Sequence, residues 1–329
     1  MSIIEFDRLK KKFIIIKNLL AIDAVSSKIL WETIGLFFLI LLLSIISPYF
    51  LTVSNIFNVL RQISMVGIVS IGMTFVIITG GIDLSVGSIL ALSGVITAIS
   101  INGGINLYLA IIIGIVAGSL CGFLTGILIA SKINMPPFIA TLAMMSMARG
   151  ASLVLTSGRP IYGLPKQFGL IAGGNVFGVP FPVIIMLLMY IIGYLSLTYV
   201  RQGMYYYSVG GNEDASRLAG VNTKRIKLSA YVISGLTAAI AGMIMTSRLI
   251  SIEPMAGQGY ELDAIAAVVI GGTSLKGGEG SLIGTLIGAV IIGVLRNGLN
   301  LLNISAYWQQ FAVGFVIASV VSISGFKKE

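Results

Sequence analysis

Histidine is absent from this chain of 329 residues, and cysteine occurs only once, as Cys121. Without histidine the chain lacks the usual general base, the usual proton shuttle and the commonest zinc ligand. A single cysteine excludes a disulfide within the chain. Most familiar hydrolytic chemistry is therefore disfavoured, and we predict neither catalytic residues nor a metal site.

Charge is also scarce: 10% of the residues are charged, whereas soluble proteins average about 25%. The hydrophobic residues, 57% of the chain, fall in long blocks such as 34–46 and 105–130. Because a helix needs roughly 20 residues to cross the hydrocarbon core, about ten spans fit into this length and no large soluble domain fits beside them. The 40 glycines, which would be costly in soluble helices, predict membrane helices that approach one another closely.

The chain divides into an N-terminal segment, 1–30, and a transmembrane domain, 31–326. In the N-terminal segment Lys17 and Asp23 interrupt an apolar stretch that is too short to cross the membrane. We predict an amphipathic helix on the membrane surface there, with docking of a partner as the functional alternative. The predicted spans of the domain lie at about 31–47, 63–80, 84–101, 105–131, 137–156, 179–200, 226–250, 262–275, 281–302 and 307–324.

The distribution of basic residues predicts that both ends of the chain are cytoplasmic. With the N-terminus inside, fifteen of the 21 lysines and arginines fall in cytoplasmic segments and four in external ones. Basic residues are retained on the cytoplasmic side of a membrane, so an even number of spans is favoured. This orientation explains the net charge of +9 without nucleic acid as a partner.

The third and eighth spans open alike. Asp83 follows Gly80-Gly81 in one, and Asp263 precedes Gly271-Gly272 in the other. In a chain of five plus five spans these acids occupy equivalent places. Because five is odd, the two halves would have opposite orientations, as in the inverted repeats of many transporters. The match is short, so an inverted repeat and a chance similarity are both open.

The longest cytoplasmic connection, 201–227, carries the signals of a short helix. Asn212 can cap a helix that runs through Leu218, and acids in its first turn favour the helix dipole. Gly220 then provides a typical end. Such a short, charged helix has nothing of its own to pack against, so we interpret it as held by another protein, with an ordinary solvated helix as the alternative.

Three stretches carry a family resemblance: GMTFVIITGGIDLSVGS at 72–88, GGNEDASRLAGV at 210–221 and GYELDAIAAVVIGGTSLKGGEGSLIGT at 259–285. The chain resembles the permease subunits of bacterial ATP-binding cassette importers for monosaccharides, from about residue 47 to 326. The resemblance implies an all-α membrane bundle of ten spans, similar to the cobalamin-type import permeases, whose halves are inverted repeats. It also favours ribose as the sugar, while other pentoses, hexoses and a sugar-like signalling molecule remain open.

The resemblance also implies the partners. The stretch around Asp214-Ala215-Ser216 and Gly220 looks like the core of the coupling motif that fits into a cleft of the ATP-binding subunit. The residues implied in coupling are Asn212, Glu213, Asp214, Ala215, Ser216, Arg217 and Gly220. A second permease copy, two ATP-binding subunits or one with tandem cassettes, and a sugar-binding protein would complete the assembly in the bacterial cytoplasmic membrane. ATP and Mg²⁺ would be bound by the partner, since no GxxxxGK[ST] phosphate loop occurs in this chain.

Polar residues in or near the spans are the candidates for the transport path or gate. They are Thr74, Thr79, Asp83, Ser85, Ser88, Glu261, Asp263, Asn297 and Asn300. The acids can also cap helices, and the hydroxyl and amide groups can also form hydrogen bonds between helices. Arg149 and Arg296 lie deeper in spans, within reach of an end by snorkelling.

A stand-alone secondary transporter is the alternative function, because broken helices and membrane acids are typical of that class as well. The connection 201–227 separates the two functions, since a secondary transporter needs no helix shaped for an ATPase cleft. A membrane enzyme ranks third, because no nucleophile and base, and no cluster of metal ligands, can be recognised in the sequence.

Overall fold

The computed structural model describes residues 30–131, 133 and 135–326 and consists of helices joined by short connections. The predicted surface helix of the N-terminal segment lies outside the described residues. The helices are α1 Leu30–Ile46, α2 Val53–Ile78, α3 Val86–Asn102, α4 Leu107–Ala130, α5 Pro137–Thr156, α6 Lys166–Gly173, α7 Phe181–Tyr199, α8 Arg201–Gly211, α9 Glu213–Leu218, α10 Thr223–Leu249, α11 Tyr260–Ile270, α12 Leu282–Leu301 and α13 Ala306–Phe326. A hairpin of two antiparallel strands, β1 Asn175–Val176 and β2 Val179–Pro180, lies between α6 and α7.

A helix lies at each of the ten places where a span is predicted. Among the described residues six helices are long and apolar enough to cross a membrane, namely α2, α4, α5, α7, α10 and α12. Two more, α1 and α3, are apolar but shorter, and α11 has only 11 residues. The molecule is therefore an all-α, multi-pass membrane protein, and a total of ten crossings remains a prediction.

The centre of the bundle is formed by α2 and α10, which pack against each other. In the most apolar window of α2, 89% of the residues are buried inside the protein, against 22% for α4. Helix α10 also packs against α3 and α4, and α2 packs against α11 and α12. Each short helix meanwhile packs against the two spans that follow it, α3 on α4 and α5, and α11 on α12 and α13. Helix α2, from the first half of the chain, thus packs against helices of the second half, and α10, from the second half, packs against helices of the first.

Small residues allow the close approach of α4 and α10. Glycines recur at every fourth position of α4, and a Cβ atom added at Gly122 would lie 3.1 Å from the Cα atom of Gly235 on α10. A Cβ atom at Gly118 would lie 3.1 Å from the carbonyl oxygen of Gly235. Membrane helices associate through such contacts because lipid offers no hydrophobic drive between them. The prediction of closely packed helices from the glycine content is confirmed.

The sequence-based prediction missed two helical stretches, 53–62 and 201–211. Helix α2 begins at Val53, ten residues before the predicted span, because Thr52 caps it by accepting a hydrogen bond from the backbone N–H of Asn55. Hydropathy reports only the part of a helix that lies in hydrocarbon, so it missed the polar first turns. The connection 201–227 contains a second helix, α8, which leaves only short links on either side of α9.

Candidate coupling helix and polar contacts of the bundle

Helix α9 has the boundaries that its sequence predicts. The side chain of Asn212 accepts a hydrogen bond of 2.9 Å from the backbone N–H of Ala215, and Glu213 and Asp214 occupy the first turn. At the other end the backbone N–H of Gly220 donates to the Arg217 carbonyl, and that of Val221 donates to the Ser216 carbonyl, both at 3.0 Å. This pair of bonds is the Schellman ending, in which Gly220 takes a left-handed φ of 86°.

The helix is held firmly to its neighbours, contrary to the expectation that it has nothing of its own to pack against. Ser216 is its one buried residue, and the Ser216 hydroxyl forms a hydrogen bond of 2.6 Å with the Ser208 hydroxyl on α8. The Lys227 ammonium group on α10 pairs with the Glu213 carboxylate. The short helix is therefore fixed at one angle by α8 on one side and by α10 on the other.

The remaining face of α9 is open to its surroundings. Asp214 and Arg217 form an exposed ion pair of 2.8 Å, with 79% and 68% of their side chains accessible. Leu218 is 87% exposed, and Ala215 is exposed beside it. An open pocket of about 580 Å³ separates this helix from the end of α4 and the start of α10. A rigid, exposed helix beside a pocket is a surface suited to a protein partner.

The serine and threonine candidates of the first motif are buried within the protein. The Thr74 hydroxyl on α2 lies 2.9 Å from the Thr285 hydroxyl on α12, and the Thr79 hydroxyl donates to the Val76 carbonyl at 2.8 Å. Ser88 is 2% exposed within α3. The hydroxyl groups of Thr74 and Thr79 thus join two helices or close a helix end, which is the alternative role that the sequence left open for them.

Asp83 fastens the connection between α2 and α3 to the central helix α10. Its fully buried carboxylate accepts hydrogen bonds from the backbone N–H of Ser85 at 2.9 Å, from the Ser85 hydroxyl, and from the Ser234 hydroxyl at 2.7 Å. Three donors directed at one buried carboxylate compensate much of its desolvation. Asp83 is not the capping residue of α3, whose N-cap is Ser85, but it holds the backbone of Ser85 just before the helix and ties this connection to α10.

The two candidate asparagines of α12 form hydrogen bonds near the end of the bundle opposite to Asp83. Asn297 and Asn55 exchange two hydrogen bonds of 2.8 and 3.0 Å between their side-chain amides, both buried. Asn300 accepts a bond of 2.7 Å from the side chain of Gln309 on α13. Amide pairs of this kind join membrane helices, so these residues also take the helix-to-helix role.

Asp263 forms an ion pair with Arg296, which the sequence did not predict. Two nitrogens of the Arg296 guanidinium lie 2.6 and 3.1 Å from one carboxylate oxygen of Asp263. The Arg296 side chain is 22% exposed, and the Asp263 side chain is 3% exposed. The charge of Arg296 is therefore compensated by an acid between α12 and α11, which is a contact that its predicted reach to a span end did not include. Glu261, in the same first turn of α11, accepts a bond of 3.3 Å from the backbone N–H of Gly259.

Arg149 on α5 holds the connection between α10 and α11. One guanidinium nitrogen donates to the Pro254 carbonyl at 2.8 Å and to the Ala256 carbonyl at 2.9 Å. The connection is irregular, and its residues Gly257 and Gly259 have φ angles of 73° and 88°. A charged donor on two carbonyls contributes more than a neutral hydrogen bond does, so Arg149 sets the shape of this connection.

We expect Arg149→Met to loosen the connection at 251–259. Loss of a charge-assisted hydrogen bond costs about 1.5–3 kcal/mol, so backbone amides of this segment should exchange with solvent faster while those of α2 stay protected. Hydrogen exchange followed by mass spectrometry measures this directly. Arg159→Met, at an exposed arginine nearby in the chain, serves as the control. Equal exchange in the two variants would show that Arg149 does not hold the segment.

Several partners of the predicted residues were missed, because they come from distant parts of the chain. Ser234 lies 151 residues from Asp83, Thr285 lies 211 residues from Thr74, and Asn55 lies 242 residues from Asn297. A single sequence carries no signal for such pairs. Among the described residues no group of three His, Cys, Asp or Glu could hold a metal ion.

The fold defines the class, a multi-pass membrane protein, and one short exposed helix, α9, is held between α8 and α10. The profile of the family described as "Branched-chain amino acid transport system / permease component" matches residues 55–321. The chain belongs to this permease family. It is thus a transport subunit and not an ATPase.

Curated relatives are similar over nearly the whole chain. The ribose import permease protein of Bacillus subtilis (strain 168) is 49% identical over 91% of this chain and 93% of its own length. The ribose import permease protein of Escherichia coli (strain K12) is 46% identical over 90% and 93%. The D-allose transport system permease protein of E. coli (strain K12) is 37% identical over 89% and 91%. No solved structure matches the chain significantly.

Proposed function

We propose that this chain is the permease subunit of an ATP-driven importer that moves a monosaccharide, ribose in the first place, into the cytoplasm. The observation that carries the proposal is α9: a six-residue helix fixed by α8 and α10, with Asp214, Arg217 and Leu218 exposed. The family description names amino acids, whereas the relatives that are 37–49% identical carry names of sugar permeases. Since identity is higher to the ribose permeases than to the allose permease, ribose is favoured.

The proposed membrane domain, 31–326, has ten spans in two halves of five, with 201–227 as its coupling segment. Support comes from the packing: α3 with α4 and α5 repeats in α11 with α12 and α13, and α2 and α10 each pack on the other half. An inverted repeat accounts for this arrangement, in which one helix of each half packs against the other half. The arrangement also fits the resemblance to cobalamin-type import permeases.

Both ends of the chain are proposed to lie in the cytoplasm of a bacterium, with the domain in the cytoplasmic membrane. The coupling segment then lies on the same side as both ends, where the ATP-binding subunits are found. The positively charged residues Arg217, Lys224, Arg225 and Lys227, around and just after α9, fit this orientation.

The proposed partners are a second permease copy, two ATP-binding subunits or one with tandem cassettes, and a sugar-binding protein on the outer side. ATP and Mg²⁺ belong to the ATP-binding subunits. Closure of their dimer would pull the two α9 helices together and tilt the spans, so that the path opens to alternate sides. The sugar itself undergoes no chemistry.

In this proposal the sugar-binding protein, and not the permease, binds the sugar tightly and selectively. The candidate path residues Thr74, Asp83, Asp263 and Asn297 are each engaged by another group of the protein. Polar groups that are paired with one another offer few free hydrogen bonds to a sugar. A path that holds the sugar weakly also releases it readily in each cycle.

We expect Leu218→Asp to abolish capture of the ATP-binding subunits. Leu218 is 87% exposed at the end of α9, so a charge there removes apolar contact area and places a desolvated carboxylate in the interface without disturbing the fold. Copurification of the ATP-binding subunits with the tagged permease measures the effect. The control is Leu170→Asp, at an exposed leucine of α6 outside the coupling segment (65%).

Copurification that persists in the Leu218 variant would contradict the assignment of α9 as the docking helix. Uptake of sugar by vesicles that contain the permease without ATP-binding subunits would contradict the proposed function as a whole. That second result would favour a stand-alone secondary transporter.

A further inference from the structure

Four glycines from three separate segments meet at the end of α8, and we call them the glycine junction. Gly80 follows α2, Gly210 lies in the last turn of α8, and Gly277 and Gly278 lie in the connection between α11 and α12. A Cβ atom on Gly277 would lie 2.9 Å from the Gly210 carbonyl oxygen and 2.9 Å from the Gly80 nitrogen. The backbones of the three segments are therefore in direct contact.

A backbone hydrogen bond lies at the centre of the junction. The N–H of Gly278 donates to the carbonyl of Ile78, the last residue of α2, at 2.9 Å. A Cβ atom on Gly210 would overlap that same carbonyl oxygen and would lie 2.6 Å from the Gly278 nitrogen. Helix α8 thus packs directly against the hydrogen bond that joins the end of α2 to the connection before α12.

A second contact joins α8 to the same connection. The Tyr207 hydroxyl donates to the Gly280 carbonyl at 3.1 Å. Gly280 directly precedes Ser281, which caps α12 by accepting from the backbone N–H of Gly284 at 3.4 Å. Tyr207 therefore binds the peptide unit that joins Gly280 to Ser281, the N-cap residue of α12.

On its other side α8 continues into the docking helix. Asn212 alone separates the two helices and caps α9, and the Ser208–Ser216 hydrogen bond fixes the angle between them. No flexible loop therefore lies between α9 and the junction.

We propose that Gly210 and Tyr207 are positioning residues of transport, which transmit the movement of α9 to the adjoining ends of α2 and α12. The inference rests on the proposed function, since it takes α9 as the helix that the ATP-binding subunits move. Contacts between backbones transmit displacement well, because no side chain between them can change rotamer and absorb it. The Asp83–Ser234 hydrogen bond then ties the connection after α2 to α10.

The test compares Gly210→Ala with Gly211→Ala in the assembled transporter in proteoliposomes, with sugar uptake and ATP hydrolysis measured together. Neither glycine has a positive φ, so alanine fits the helical backbone at both positions. An added Cβ atom finds no room at Gly210, whereas at Gly211 it meets nothing within 4 Å. We expect Gly210→Ala to lower sugar moved per ATP hydrolysed at least about fivefold, the low end of typical coupling between sites. Gly211→Ala should stay within about twofold of the unchanged protein.

Tyr207→Phe provides a second variant that keeps the shape of the ring and removes one hydrogen bond, which guards against failure of Gly210→Ala to fold. We expect it to lower the same ratio by about twofold or more, while the ATP-binding subunits still copurify. If Gly210→Ala and Tyr207→Phe both move as much sugar per ATP hydrolysed as the unchanged protein, this inference is overturned, while the proposed function stands. An unchanged permease that fails to couple hydrolysis to uptake would overturn the proposed function.

Discussion

Replacing Gly220 with valine is expected to abolish ATP-driven uptake while the protein still inserts into the membrane. Gly220 has a φ of 86°, a conformation that costs a β-branched residue about 1–3 kcal/mol. The glycine lies two residues after the end of α9 and closes its Schellman ending. Valine would unwind that ending and change the angle of the docking helix, so uptake of labelled ribose should fall by tenfold or more, about 1.4 kcal/mol in coupling.

The matched control is Gly158→Val in the turn after α5. Gly158 has a φ of 71°, and at both glycines an added Cβ atom meets nothing within 4 Å. The two substitutions therefore impose the same kind of backbone strain, and only one of them touches the docking helix. Equal uptake in the two variants would show that the orientation of α9 is not what Gly220 contributes.

Much of this fold is predictable because a membrane restricts the possibilities. Each span must be a continuous apolar helix with its backbone bonds satisfied internally, so hydropathy placed ten helices and proline or glycine marked their ends. What hydropathy could not place are the helices outside the hydrocarbon. The first turns of α2, with Asn55 and Arg61, and all of α8, with three consecutive tyrosines, are polar or mixed in sequence.

The docking helix was predictable for a different reason: its signals are local. An Asn at the cap, acids in the first turn and a glycine two residues after the end all lie within nine residues. The contacts that hold the helix were not predictable. Lys227 lies 14 residues from Glu213, and the Ser208–Ser216 pair depends on α8, which was not predicted. The polar residues of the spans were found as candidates, but only packing shows which helix each one joins.

Removal of Arg296 is expected to be the most damaging single change inside the bundle. Arg296→Met leaves the Asp263 carboxylate, 3% exposed, without its partner, and an uncompensated buried charge of this kind costs about 3–5 kcal/mol. The thermal unfolding midpoint in detergent and the amount of protein in the membrane should both fall sharply. Arg201→Met, at an exposed arginine at the start of α8, should change neither.

The double variant Arg296→Met with Asp263→Leu decides what the pair does. Replacing both partners removes the unpaired charge and keeps apolar volume between α11 and α12, so most of the lost stability should return. Because Asp263 is 3% exposed and paired with Arg296, we expect uptake to return together with stability, as a structural pair requires. Recovery of stability without uptake would instead assign the charges to the gate. A double variant as unstable as the single one would show that the pair itself, rather than the relief of a buried charge, holds α11 against α12.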